Sequence, residues 1–264
     1  MAQIRASQHY QVYDSASRRI KTYQARKQQG NDLDDDREKR IADPCLEVAL
    51  LNVRHRPANV VMVGHSFLRR ARDFMHQRYG FYSNLNIDHN LCQVMWEVQG
   101  GMRAENLFNI YLNAVMNHLP DIVYIEIGSN DLADPDLVPA DPATDTFQFV
   151  QSLLNLGVAY VLVGQVIFRQ GRGIPAEVQN YNTRVVLMNN LSAAFLANEH
   201  QAHFWKHRGL WNPVCPIIGR DGTHLNAWGN VKYCRSLRQA VMFALRRIQH
   251  RIVQVQPVHQ AHQP

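Results

Sequence analysis

Four short polar clusters stand out in the 264-residue chain: Gly64-His65-Ser66-Phe67, Gly100-Gly101-Met102-Arg103, Gly128-Ser129-Asn130-Asp131 and Asp221-Gly222-Thr223-His224-Leu225-Asn226. Together they hold a hydroxyl, backbone amides beside glycines, a carboxamide, a carboxylate and an imidazole. Those are the parts that acyl transfer needs. A serine hydroxyl is a poor nucleophile until an imidazole removes its proton. The imidazole must be held in one tautomer by an acceptor, commonly a carboxylate. The tetrahedral intermediate then needs donors aimed at its oxyanion. On this reading Ser66 is the nucleophile, His224 the base, and Asp221, three residues earlier, the orienting acceptor. The backbone N–H groups of Ser66 and Gly101 and the side-chain amide of Asn130 would form the oxyanion hole. Gly100 is an alternative donor to Gly101. Singly, each cluster has a plainer reading. Serine caps helices, Gly-Ser-Asn-Asp is an ordinary turn, and Asp221 suits a cap or an Asx-turn. What favours chemistry is that all four occur together, the first three each following an apolar run.

The apolar runs give the elements that would position these residues. Asn59–Val63, Gln93–Val98, Asp121–Ile127, Val158–Val166 and the short Ala202–Trp205 read as strands, continuous and β-branched as buried parallel strands are. Between them, helical spacing of apolar residues predicts helices over Ser66–Tyr79, Arg103–His118 and Thr144–Leu156. A long helix beginning near Pro175 and a last one over Ala227–Ile248 complete the set. Strand–helix alternation with short connections implies an α/β fold, a parallel sheet of about five strands covered by helices on both faces. In such sheets reactive groups collect beyond the carboxyl ends of the strands, where the first three clusters fall.

These blocks resemble those of the SGNH hydrolases, also called GDSL-type esterases, named for Ser, Gly, Asn and His in four blocks with an Asp three residues before the His. Here the four fall on Ser66, Gly101, Asn130 and His224, with Asp221 in place, and the resemblance covers roughly Asn59 to Ile248. It implies a flavodoxin-like three-layer α/β/α sandwich. It also implies a serine esterase that cleaves a small-molecule ester through an acyl-serine, without cofactor or metal. The first block departs from the family pattern: His65 and Phe67 flank the serine where Asp and Leu are usual. An α/β-hydrolase elbow is disfavoured, because Leu68 stands where Gly-x-Ser-x-Gly requires glycine.

The chain divides into a charged N-terminal arm (1–58), the hydrolase-type domain (59–248) and a Gln/His/Pro-rich tail (249–264). Residues 1–58 carry 11 Lys/Arg against 8 Asp/Glu, and residues 231–264 carry 6 against none. The overall charge is only +6, so the middle is mildly acidic. That argues against a nucleic-acid-binding core and leaves nucleic acid as a partner only through the basic ends. The alternative to an enzyme is a catalytically inactive SGNH-fold binding or assembly module, of the kind some mobile elements encode, whose basic arms contact nucleic acid or a protein partner. No apolar run approaches the length of a membrane span and no signal-peptide pattern opens the chain, which predicts a cytoplasmic protein. The four cysteines, Cys45, Cys92, Cys215 and Cys234, form no CxxC pair and read as free thiols. His200, His203 and His207 have metal-like spacing, but a strand over Ala202–Trp205 would separate their side chains. Arg69, Arg70, Arg72 and Arg103 read as a solvated helix face rather than as anion binders. His65 reads as a hydrogen-bonded turn residue or as a group that tunes Ser66.

Overall fold

The computed structural model describes residues 56–79, 84–178, 180–211 and 216–255. Most of the expected N-terminal arm, Cys45, Cys215 and the end of the tail lie outside the described residues. Five strands, β1 (Ala58–Gly64), β2 (Cys92–Val98), β3 (Ile122–Glu126), β4 (Tyr160–Gly164) and β5 (Ala202–Trp205), form one sheet in the order β2-β1-β3-β4-β5. Every pairing is parallel. The helices are α1 (Ser66–Tyr79), α2 (Leu112–Met116), α3 (Ala140–Asn155), α4 (Tyr181–Leu196) and α5 (Ala227–Val255).

Strand periodicity sorts the core into two layers. Val60, Met62, Tyr124 and Leu162 face α1 and α5, meeting Phe67, Leu68, Ala71, Leu237, Val241 and Leu245. Their neighbours Val61, Val63, Val123, Ile125, Val161 and Val163 face the other way, toward Leu107, Val115, Phe149, Val150 and Leu153. Both faces of the central strands are therefore buried, as their unbroken apolar sequence requires. A third cluster, with Val185, Met188, Leu191 and Phe195 of α4, packs on Leu132, Val166 and Phe168 beyond the strand ends. The result is the three-layer, flavodoxin-like α/β/α fold, with its switch of strand order between β1 and β3. Register fixes what meets there: Gly64 pairs with Val98 on one side and with Glu126 on the other. The segments that follow β1, β2 and β3 consequently emerge side by side.

Three helix starts differ from the sequence expectation. The helix expected from Arg103 begins at Leu107, and its first turn (Leu107–Tyr111) is π-helical before α2. The N–H of Arg103 is taken by Asn106 Oδ1 (3.3 Å) and that of Ala104 by Asp131 Oδ1 (2.9 Å), so this segment is tied to the next loop instead of to a helical turn. The helix expected from Pro175 begins at Tyr181, after Asn180 adopts a left-handed φ of 59°. α3 begins at Ala140, earlier than its apolar stripe indicates, and α5 runs past Ile248 to Val255. Among the described residues no helix is long and apolar enough to cross a membrane.

Candidate active site

β1 delivers Ser66 to the first position of α1, and its hydroxyl turns toward a loop far along the chain rather than capping its own helix. His224 Nε2 lies 2.9 Å from Ser66 Oγ. The other ring nitrogen, Nδ1, lies 2.8 Å from Asp221 Oδ2. Ser66 thus meets the distant His224–Asp221 pair, whose histidine lies 158 residues along the chain from it, in the order hydroxyl, imidazole, carboxylate.

The loop that carries His224 is itself tightly specified. Asp221 Oδ1 accepts the backbone N–H groups of Thr223 (3.0 Å) and His224 (2.9 Å), an Asx-turn that leaves Oδ2 for the ring. An isolated bridge between Ile218 and Leu225 and the bond from Gly219 N–H to the His224 carbonyl close the loop below. Gly222 has φ +72°, and a Cβ there would fall 2.0 Å from the Gln170 carbonyl oxygen. Only glycine serves, because the Gly171–Gly173 turn packs directly on this loop.

The structure places the expected oxyanion donors on the same edge. Gly101 follows β2 with φ +76°, and neither its N–H nor that of Ser66 donates a hydrogen bond among the described residues. Asn130 follows β3; one N–H of its amide is anchored on the Met102 carbonyl (2.9 Å), which orients the amide and ties the second block to the third. Asp131 completes that tie through Ala104, and burial pushes its carboxyl up to about 6.

Electrostatics set the protonation states. Burial works against ionisation of Asp221, but the His224 and Thr223 N–H groups and the His224 ring outweigh it and hold the carboxyl down at about 2. His224 is pulled below the usual imidazole value, first by burial and then by the charges of Arg70 and Arg169, against the opposing pull of Asp221. The ring is therefore neutral at pH 7, with Nδ1–H on Asp221 and a basic Nε2 facing the hydroxyl.

Other residues singled out by sequence resolve differently. His65 is buried; its Nδ1 accepts the Phe67 N–H at 3.5 Å and its Nε2 has no partner, so it acts within the turn and not in the opening. The His203 ring packs against Phe243 at a tilt of 40° (centroids 4.8 Å apart), whereas His207 is buried against Glu126, so these two histidines have separate surroundings. Among the described residues no group of three or more His, Cys, Asp or Glu could hold a metal ion. Cys92 and Cys234 are free thiols, each pushed up to about 12 by burial. Sequence reasoning missed Arg169. Its guanidinium donates to the Ser129 carbonyl (2.7 Å) and lies over the Tyr181 ring, bracing the turn that presents Asn130.

No protein-family model and no curated protein sequence matches the chain. Solved structures do match. A GDSL-like lipase from Bacteroides thetaiotaomicron superposes with a TM-score of 0.58 at 14% identity, over 75% of this chain and 97% of that one. A lipase/acylhydrolase from Enterococcus faecalis gives 0.54 at 15% identity, over 74% and 96%. A catalytic mutant of an acetylxylan esterase from Geobacillus stearothermophilus gives 0.53 at 12% identity, over 73% and 98%. The chain thus has the SGNH/GDSL hydrolase fold, shared with esterases and acylhydrolases.

Proposed function

We propose that the protein is a serine esterase or deacylase of the SGNH type that hydrolyses a carboxylic ester through an acyl-Ser66 intermediate. The observation that carries this reading is the Asp221–His224–Ser66 relay, with contacts of 2.8 and 2.9 Å, at the rim of a fold shared with esterases. In the first half-reaction His224 Nε2 takes the Ser66 proton as Oγ attacks the ester carbonyl. The oxyanion is received by the N–H groups of Ser66 and Gly101 and the amide of Asn130, assisted by the N-terminal dipole of α1. His224 then gives its proton to the departing alcohol, and the C–O bond of the ester breaks. In the second half-reaction His224 deprotonates water, which attacks the acyl-serine, and the proton returns to Ser66 as the acid leaves. Asp221 keeps the Nδ1–H tautomer and steadies the imidazolium at each transfer.

The test is covalent labelling by a fluorophosphonate together with turnover of 4-nitrophenyl acetate. The wild-type chain is expected to be labelled on Ser66 and to turn over. Ser66→Ala is expected to lose both, with a fall in kcat on the order of 10⁵ or more. Turnover at the wild-type rate in Ser66→Ala sinks the reading. Salt-sensitive retention of RNA or DNA without labelling favours the binding-module alternative instead.

A further inference from the structure

The helix that begins at the nucleophile carries two arginines at positions three and four beyond it. On an α-helix, residues i, i+3 and i+4 share a face, so Ser66, Arg69 and Arg70 lie on one side of α1. The side chains bear this out. The Arg69 guanidinium lies against Gly100: a Cβ built on that glycine would stand 3.4 Å from a terminal nitrogen and 3.5 Å from Cζ. Arg70 reaches the other flank of the site, with a terminal nitrogen 3.8 Å from Asp221 Oδ2.

The neighbouring arginines are engaged elsewhere. Arg72 closes on Asp73 at 2.9 and 3.0 Å, and Arg103 on Asp134 at 2.9 Å. Arg69 has no carboxylate partner among the described residues, and the Arg70–Asp221 pair is long, with both side chains about half exposed. Such a surface pair is weak and leaves guanidinium N–H groups for a ligand. Buried Arg169 adds to the positive field, which both His65 and His224 register. Of the four arginines read from sequence as a solvated face, two therefore line the mouth of the site.

We infer that Arg69 and Arg70 form an anion subsite beside Ser66, and that the ester cleaved there carries a carboxylate or phosphate on its alcohol portion. The inference rests on the esterase reading and narrows its substrate class. Arg70 stands on the His224 side, where the alcohol must lie to receive its proton. Arg69 stands across the opening, over the second block. Guanidinium forks match the planar oxygens of a carboxylate or the oxygens of a phosphate, which a neutral ester cannot use. Solvent reaches both arginines, so the contribution is sensitive to salt.

The experiment compares kcat/KM of the full chain on 3-acetoxybenzamide, 3-acetoxybenzoate and 3-acetoxyphenyl phosphate, with phenyl hemisuccinate placing the anion on the acyl side. The anionic aryl acetates are expected to be preferred over the neutral amide by about tenfold or more. Whichever of the two shows the larger preference identifies the anion. The preference ratio is expected to fall to about one in R69Q/R70Q, to survive in part in R69K/R70K, to persist in R72Q, and to shrink as salt rises from about 0.05 to about 0.5 M. A wild-type ratio near one with the neutral ester still hydrolysed overturns this inference alone. So does a ratio unchanged in R69Q/R70Q, or a preference for the hemisuccinate only. Absence of any turnover and of Ser66 labelling overturns it together with the esterase reading.

Discussion

Among the described residues two carboxylate–histidine–serine arrangements stand out, and they differ in whether a substrate could reach them. At the rim, Asp221 meets His224 at 2.8 Å and His224 meets Ser66 at 2.9 Å. Inside the fold, between β3, β5 and α5, Glu126 Oε2 lies 3.1 Å from His207 Nε2, and His207 Nδ1 lies 2.9 Å from Ser236 Oγ. The distances hardly distinguish the two. Exposure does: the His224 and Asp221 side chains are 18% and 45% exposed, those of His207 and Glu126 0% and 1%. Hydrogen-bond accounting separates them as well. Ser236 Oγ already accepts the Trp205 indole N–H at 3.0 Å, and Glu126 Oε2 also accepts the hydroxyls of Tyr124 (3.0 Å) and Tyr233 (2.6 Å). At the rim, by contrast, the N–H groups of Ser66 and Gly101 are uncommitted among the described residues. A charge relay becomes a catalyst only where a carbonyl can enter and where donors are still free to receive its oxygen. The inner set is a buried polar network in which Glu126 Oε2, His207 and Ser236 are hydrogen-bonded, while Glu126 Oε1 has no partner, and it ties β3 to α5.

Swapping carboxylate for amide in each set gives the largest contrast. Asp221→Asn is expected to lower kcat on 4-nitrophenyl acetate by about 10⁴, because the amide favours the wrong His224 tautomer, with little change in melting temperature. Glu126→Gln is expected to do the reverse. Burial pushes Glu126 up, but the bonds and charge of His207, with help from His65 and Tyr233, hold it ionised below the usual range. Removing that buried charge is expected to cost about 3 kcal/mol of stability in denaturant titrations, while the folded fraction keeps turnover within about tenfold of wild type. If Glu126→Gln silences turnover and Asp221→Asn spares it, the roles assigned to the two sets are exchanged.

Next in size is Asn130→Ala. It removes one of the proposed oxyanion donors and is expected to lower kcat by about 10² to 10³ with KM little changed. An equal rise in KM with kcat preserved would mean that Asn130 serves ground-state binding instead. Ser236→Ala addresses the inner set in the same way. It leaves the Trp205 N–H and a His207 nitrogen unpaired, and is expected to cost about 1–2 kcal/mol of stability without touching fluorophosphonate labelling.

How much of this was legible in the chain differs between the two sets for a physical reason. Ser66, Gly101 and Asn130 each follow a strand, so the α/β rule alone gathers them, and Asp221 announces its partner by lying three residues before His224. The inner set has no such signal. Glu126 reads as the polar end of a strand, His207 as one of three spaced histidines, and Ser236 as an ordinary residue of a helix. Only the strand order brings them together. The arginines were legible in position but not in role: i+3 and i+4 from Ser66 is a sequence fact, whereas the pairing of Arg72 and Arg103 with Asp73 and Asp134 is not. The π-helical turn at Leu107–Tyr111 escaped because apolar periodicity cannot register that Asp131 captures the Ala104 N–H. His65 was legible as a turn residue, but its depth was not.

The smallest expected effect tests the rim set through its base. In the proposed mechanism His224 must be neutral to accept the Ser66 proton, so kcat/KM is expected to fall as pH drops through the His224 pKa. Burial, Arg70 and Arg169 hold that value below the usual 6.5, so the rate should stay level through neutrality and decline only on the acid side of it. Arg70→Gln removes one of the cations that disfavour imidazolium, which raises the His224 pKa and moves the acid limb to higher pH. A pH–rate profile of 4-nitrophenyl acetate hydrolysis reads the shift directly. A limb that stays in place in Arg70→Gln would mean that the guanidinium is too well screened by solvent to act on the ring, and that burial, Asp221 and Arg169 set the poise of the base.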